Sequence, residues 1–376
     1  MPHPVIVDAA RTAYGRRGGA LAGVHAVDLL ASTQRALLDR SALDPALVSD
    51  VIGGCVTQAG EQSANVVRFA WLHAGLPEET GATTIDAQCG SAQQSVHLIA
   101  AQIAGGMIDV GMACGVEAMS RVPLLSNLGD VGRPRPDSWS VDLPAQFEAA
   151  DRIAERRGLT REQIDAFGMQ SQQRARTAWD EGRLDRQVIA TKLPDGTTFD
   201  RDEGLRETNL EALAGLKPIR DGGLHTAGTS SQISDGATAA LLMDEDRGRE
   251  LGLRPRARLR AQVLVGAEQS YLLDGPIRAA DRLLERTGMS IGDIDLFEVN
   301  EAFAAVPMSF AQVHGVDPEK LNVNGGAIAL GHPVGSTGIR LIASVIDELE
   351  RRDQTLGMVA ICAGGAQATG AIIERI

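Results

Sequence analysis

Cys89 lies in Asp86-Ala87-Gln88-Cys89-Gly90-Ser91-Ala92, where small neighbours leave room for a substrate at the thiol. Directly after it, Val96, Ile99, Ala100 and Ile103 recur at helical spacing and predict a helix over 91–105. The positive end of that helix favours thiolate over thiol, so a reactive cysteine is expected. A buried structural cysteine is the competing reading, and the residues alone leave both open. His332 sits in a glycine-rich run, residues 324–338, flanked by Gly331 and Pro333. Its imidazole could serve as the base for a thiol, because histidine titrates near neutral pH. Cys362 ends an apolar run and is followed by Ala363-Gly364-Gly365. By itself such a cysteine belongs to the core, and only the glycine-rich exit suggests more. Asn300 follows Leu296-Phe297-Glu298-Val299 and either orients a water or carbonyl or caps a helix. Cys55 and Cys114, in strand-like contexts, read as structural.

The elements that must position these residues alternate between strand and helix. Strands are expected at 4–8, 51–56, 110–115, 237–243, 296–299 and 357–362, with residues 83–86 leading into Cys89 and helices near 26–39, 91–105 and after His332. Such alternation predicts an α/β fold with a sheet covered on both faces. Residues 121–231 are more polar and richer in Pro, Arg and Asp, and read as an insertion over the core. Thr160-Arg161-Glu162-Gln163 predicts a capping box within it. The last 120 or so residues echo the order of the first. Each half places a reactive residue at a turn before a helix, then a strand, then a Cys/Gly turn. Two such halves would bring the turns together at one end of the core.

Composition sets outer bounds. The chain has 376 residues, 44% hydrophobic, with 36 Lys and Arg against 49 Asp and Glu, a net charge of −13. That acidity disfavours nucleic acid or an anionic membrane as the main partner. No run of apolar residues is long enough to span a bilayer. Four cysteines without a CxxC pair point away from zinc ribbons and disulfide scaffolds and toward a reducing cytoplasm, and no metal is expected. The phosphate-loop, zincin and serine-hydrolase motifs are absent.

The ordered set of segments resembles the thiolase family (acetyl-CoA acyltransferases, 3-ketoacyl-CoA thiolases) from end to end. The opening Val5-Ile6-Val7-Asp8-Ala9-Ala10-Arg11-Thr12, Cys89 with Gly115-Val116-Glu117-Ala118-Met119-Ser120, Asn300-Glu301-Ala302-Phe303-Ala304, Gly331-His332-Pro333 and Cys362 carry the likeness. It implies a thiolase-type layered α-β-α-β-α core of two similar halves with an inserted loop domain. The implied boundaries are 1–116 with 232–254, 117–231, and 255–376. It also implies that Cys89 attacks the 3-keto carbon, His332 takes the thiol proton, and Cys362 protonates the leaving enolate and then deprotonates coenzyme A. One oxyanion hole would use His332 and a water held by Asn300. The other would use the N–H groups of Cys89 and Gly364. Coenzyme A would be a co-substrate, with no permanently bound cofactor. It would lie along the middle block, with Ala227, Ser231, Gln146, Phe147 and Phe303 as contacts and arginines meeting its phosphates. A homodimer or homotetramer is implied as well.

Several segments depart from the common pattern: Gly90-Ser91-Ala92, Asp86, Thr229, Ala145-Gln146-Phe147 and Cys362-Ala363-Gly364-Gly365-Ala366. Some of these look similar to actinobacterial thiolases that shorten steroid side chains, which leads us to expect a bulky or branched acyl chain. An acetoacetyl-CoA-specific acetyltransferase is the alternative. A ketoacyl synthase would pair the cysteine with two histidines, or with histidine and asparagine, where this chain has Cys362. A non-catalytic acyl-CoA-binding protein would not need the set Cys89, His332, Asn300 and Cys362.

Overall fold

The computed structural model describes residues 2–129 and 132–376. Numbering strands of four or more residues, the first half runs β1 (Pro4–Thr12), β2 (Asp50–Gly54), β3 (Gly81–Ile85), β4 (Val110–Ala118) and β5 (Ser234–Asp244). The second half runs β6 (Ala257–Gly266), β7 (Leu296–Val299), β8 (Leu356–Ala363) and β9 (Gln367–Arg375). Helices of eight or more residues are α1 (Ala26–Ser41), α2 (Val66–His73), α3 (Ser91–Ala104), α4 (Gln146–Arg157), α5 (Arg161–Asp180), α6 (Gly275–Thr287), α7 (Ala305–His314) and α8 (Thr337–Arg352).

The halves repeat one topology. In the first, β2 pairs parallel with β3 and β4, β4 antiparallel with β5, and β5 antiparallel with β1. In the second, β7 pairs parallel with β8, β8 antiparallel with β9, and β9 antiparallel with β6. The counterpart of β3 has shrunk to a single parallel bridge, Phe297 to Leu321. The equivalent strands β1 and β6 pair with each other at Val5–Arg258 and Ile6–Ala257, joining the two sheets.

Strand alternation explains the layers. On β4, Val110, Met112, Cys114 and Val116 face a core shared with α1 and α2, while Ala113 faces the opposite way. On β8, Val359, Ile361 and Ala363 face that same inner layer, while Met358, Ala360 and Cys362 face a core shared with α6 and α7. The inner layer is α3 and α8, and apolar residues of both sheets converge on it. The layered order α-β-α-β-α expected from the resemblance is therefore present.

Helix α8 is buried nearly all round, and even its polar stripe, Arg340, Asp347 and Glu348, is spent on ion pairs and hydrogen bonds with other elements. A Cβ at Gly338 would come within 2.4 Å of the Gln93 backbone nitrogen on α3, so glycine is what lets the two inner helices touch. Between β4 and β5 the chain leaves the layers and builds α4 and α5. The expected capping box at Thr160 and Gln163 closes the start of α5. The buried Arg11–Asp202 ion pair, at 2.6 Å, ties this excursion back to β1. Among the described residues no helix is long and apolar enough to cross a membrane.

Candidate active site

The candidate residues gather where the parallel strands end. Cys89 follows β3 and sits just before α3, as the spacing predicts. The residue before it, Gln88, holds a left-handed backbone at φ 54°, which turns the chain sharply at the thiol. Asp86 secures that turn by accepting from the Gln88 backbone N–H at 2.7 Å and from its side-chain amide at 3.1 Å. From the second half, the β8–β9 hairpin brings Gly364 against the Gln88 side chain, next to Cys89 in the chain, and the backbone N–H groups of Gly364 and Cys89 favour the Cys89 thiolate. Cys362, fully buried at the end of β8, lies close enough to Cys89 that a charge on the Cys89 sulfur opposes its ionisation.

His332 lies on the loop before α8. Its Nδ1 is 2.7 Å from Thr337 Oγ1, and its Nε2 is 3.4 Å from the Asn300 side-chain nitrogen. Asn300 is anchored beside β8 by its N–H to the Ala360 carbonyl at 3.0 Å. It caps no helix: α7 starts five residues later, with Ala304 in the capping position. Its Oδ1 is buried without a partner among the described residues. The loops bearing His332 and Cys89 meet over β2, because a Cβ at Gly54 would strike both the Gly335 carbonyl and the Ser91 side chain.

Glu117, which was not singled out from the sequence, locks that meeting. Its carboxylate accepts from the N–H groups of Val56 at 2.9 Å, Thr57 at 3.0 Å and Gly335 at 3.0 Å, and from Gln62 at 2.9 Å. Burial raises its carboxyl pKa, and these four donors oppose the rise. It lies inside the Gly115–Ser120 segment that carries the resemblance, but no role was expected of it there. Thr337 and Arg340 were missed as well, since neither residue type suggests chemistry at a helix start. Arg340 is buried and pairs with Glu298 at 3.2 Å.

The expected thiolate is not what the site favours. Burial pushes the Cys89 thiol up to about 12, and the Gly364 N–H pulls it back only in part. Desolvation of a buried charge outweighs the helix N-terminus here. Burial also raises Cys362 well above the ordinary thiol range. His332 is held down to about 3 by burial and then by the charge of Arg340. At rest the site is therefore two neutral thiols and a neutral imidazole. Cys55 and Cys114 are buried in the outer core, where Gln34 reaches the Cys114 sulfur at 3.6 Å.

Beside this cluster, the turn at 226–231 is stitched to the segment after β7. Ser231 N–H donates to Ala302 at 2.9 Å, and Ala304 N–H donates to Thr229 at 3.0 Å. Phe303 packs edge-on against Phe147, 4.8 Å between centroids, and against His225 at 5.6 Å. His225 is clamped to Asp151 at 2.9 Å. Burial opposes ionisation of Asp151, yet the bonds from His225 and Leu224 prevail and hold its carboxyl at about 2. Ala227 and Gln146 are exposed, while Phe147 and Ser231 are half-buried. No cluster of three or more metal-ligating side chains occurs among the described residues.

The duplicated layers and the pairing of a cysteine turn from one half with a cysteine–glycine turn from the other define a class. The chain belongs to the thiolase family, a family of acyltransferases: the model for the thiolase N-terminal domain matches residues 4–246 and that for the thiolase C-terminal domain matches 253–375. Among curated relatives, it is 44% identical over 387 residues to a steroid 3-ketoacyl-CoA thiolase of Mycobacterium tuberculosis, covering 100% of this chain and 95% of that one. It is 40% identical over 392 residues to a 3-ketoacyl-CoA thiolase of Shewanella denitrificans, with both chains covered fully, 100% and 100%. Among solved structures, the Bacillus anthracis acetyl-CoA acetyltransferase superposes with a TM-score of 0.92 at 34% identity, covering 100% of this chain and 99% of that one.

Proposed function

We propose that the protein cleaves a 3-ketoacyl-CoA with coenzyme A, giving acetyl-CoA and a shortened acyl-CoA through a thioester on Cys89. What carries this reading is the meeting of the Cys89 turn of the first half with the Gly364 turn of the second, where a Cβ at Gly364 would strike the Gln88 side chain, with Cys362 close enough to feel the Cys89 charge. Cys89 gives its proton to His332 as its sulfur attacks the 3-keto carbon. The bond between C2 and C3 breaks, and the departing enolate takes a proton from Cys362, which burial keeps in the thiol form. The Cys362 thiolate then takes the proton of coenzyme A, whose sulfur attacks the acyl-enzyme. Collapse expels the Cys89 sulfur, which recovers its proton from His332. A carbonyl oxygen on that sulfur lies within reach of the Cys89 and Gly364 N–H groups, and such donors contribute roughly 3 kcal/mol each in comparable sites.

Coenzyme A enters as a co-substrate along the 226–231 turn, with Ala227, Ser231, Gln146, Phe147 and Phe303 lining its path. Arg206 is our choice for a phosphate contact. It is exposed, carries no ion pair among the described residues, and follows Gly204, whose carbonyl is held by Gln232 at 2.7 Å. Gln232 in turn accepts from the His332 N–H at 3.2 Å. A bulky or branched acyl chain is the substrate class, supported by Ala145-Gln146-Phe147 and by the likeness to the steroid thiolase. A homodimer is supported by β3, which pairs on one side only, and by Phe69 and Leu72, exposed nearby on α2. Four free cysteines support a reducing, cytoplasmic setting.

The test is thiolysis itself, followed as loss of 3-ketoacyl-CoA enolate absorbance on adding coenzyme A. Cys89→Ala should abolish it with coenzyme A affinity within about twofold, since binding alone does not use the thiol. Turnover unchanged in that variant refutes the assignment. Acetoacetyl-CoA turned over far better than any bulky 3-ketoacyl-CoA refutes the substrate class.

A further inference from the structure

We propose that the Thr337 hydroxyl is a positioning group for His332, holding the imidazole proton on Nδ1 so that Nε2 is the free base. The inference rests on the reading of His332 as the base for Cys89. The Thr337 Oγ1 lies 2.7 Å from His332 Nδ1 and 2.9 Å from the Pro333 carbonyl. A hydroxyl has one proton and a carbonyl can only accept, so both contacts are hydrogen bonds at once only with that proton on the Pro333 side. What Oγ1 turns to Nδ1 is a lone pair, and Nδ1 must donate. On the other side of the ring, the Asn300 amide nitrogen faces Nε2 at 3.4 Å. That nitrogen is a donor only, so the Nε2 it faces carries a lone pair and no proton. Both neighbours therefore favour the same tautomer. Thr337 and Asn300 are fully buried and His332 is 4% exposed, so solvent does not compete for these bonds.

The scaffold holds the hydroxyl still. Thr337 is the first residue of α8, and Gly338 behind it is pressed against α3. The loop on its other side is pinned by the His332 N–H to Ser234 at 3.2 Å and by the Gly335 N–H to Glu117 at 3.0 Å. One turn on, buried Arg340 disfavours a standing positive charge on the ring, so the imidazole waits neutral. During the reaction the Cys89 sulfur proton moves to Nε2, and the Nδ1–H bond to Oγ1 steadies the imidazolium until the proton returns.

The experiment compares Thr337→Val, which keeps the shape and removes the hydroxyl, with Thr337→Ser, which keeps the hydroxyl. It reads two rates: alkylation of Cys89 by iodoacetamide without substrate, and thiolysis under saturating coenzyme A. We expect Thr337→Val to slow both by about 10- to 100-fold, with KM for coenzyme A within about twofold, as for loss of a group that orients a functional imidazole. Thr337→Ser should restore both to within about threefold. Thr337→Val reacting at the parental rate, or Thr337→Ser as slow as Thr337→Val, overturns the inference. His332→Ala separates it from the reading beneath it. If that variant alkylates at the parental rate, the base assignment itself falls. If it is slow while Thr337→Val is not, only the role of Thr337 falls.

Discussion

At the scale of single residues, the site stores no charge. A thiol near 12 and an imidazole near 3 are both neutral, and a proton passed between them must move within the reaction rather than before it. Desolvation sets both shifts, and it acts in opposite directions because the charged forms have opposite signs. Cys362, equally buried, is thereby suited to donate a proton. Replacing it with alanine should leave Cys89 alkylation within about threefold, yet slow thiolysis by about 10²–10⁴-fold, the usual contribution of a positioned acid or base. The buried histidines also shape stability. His332 and His97 both fall to about 3 in the fold, below their value in the unfolded chain. The unfolded chain therefore binds more protons, and stability is lost as pH drops from about 6.5 toward 3, by up to roughly 1.4 kcal/mol per pH unit for each ring. His97→Gln, which cannot be charged, should flatten that decline in denaturant titrations across this range. An unchanged slope would contradict the buried-neutral state of His97.

At the scale of elements, the strand ends act as a jig for two loops. A Cβ at Gly115 would come within 2.4 Å of the Gly335 carbonyl, three residues from His332. Gly115→Ala should therefore push the histidine loop off β4, lowering turnover by at least about tenfold, because small misplacements of a catalytic group are costly. Gly338→Ala works on the helices instead. Its methyl would meet the α3 backbone, so overpacking of about 1–3 kcal/mol should appear as a lower denaturation midpoint. Comparing the two variants separates loop position from helix packing. Glu117 belongs to this scale as well, because one carboxylate spans the ends of β2 and β4 and the histidine loop.

At the scale of the whole molecule, the proposed site draws on both of the similar halves. The N-terminal half supplies Cys89 and the C-terminal half supplies Asn300, His332, Cys362 and Gly364, so neither half holds the full set. The edge strand β3 and the exposed Phe69 and Leu72 should make the surface joining two copies. Phe69→Glu with Leu72→Glu should shift the protein toward the monomer in sedimentation, since a charge buried at an interface without a partner is strongly unfavourable. A parental sedimentation profile would place the interface elsewhere.

The sequence by itself determined many of the elements and singled out the main residues of the proposed site. Alternating apolar runs marked β1, β2, β4, β5, β7 and β8, and the cysteine, histidine and asparagine segments stood out by residue type and glycine context. Strand β6 and helix α6 carried no such signal, because β6 is half-exposed along its length and shows no clean apolar run. Only the tertiary structure decided the protonation of the site, since desolvation depends on every atom packed around a group and not on its neighbours in the chain. It also decided which quiet residues matter. Glu117, Thr337 and Arg340 act through partners 5 to 218 positions away in the chain, and no local pattern encodes a partner at that distance.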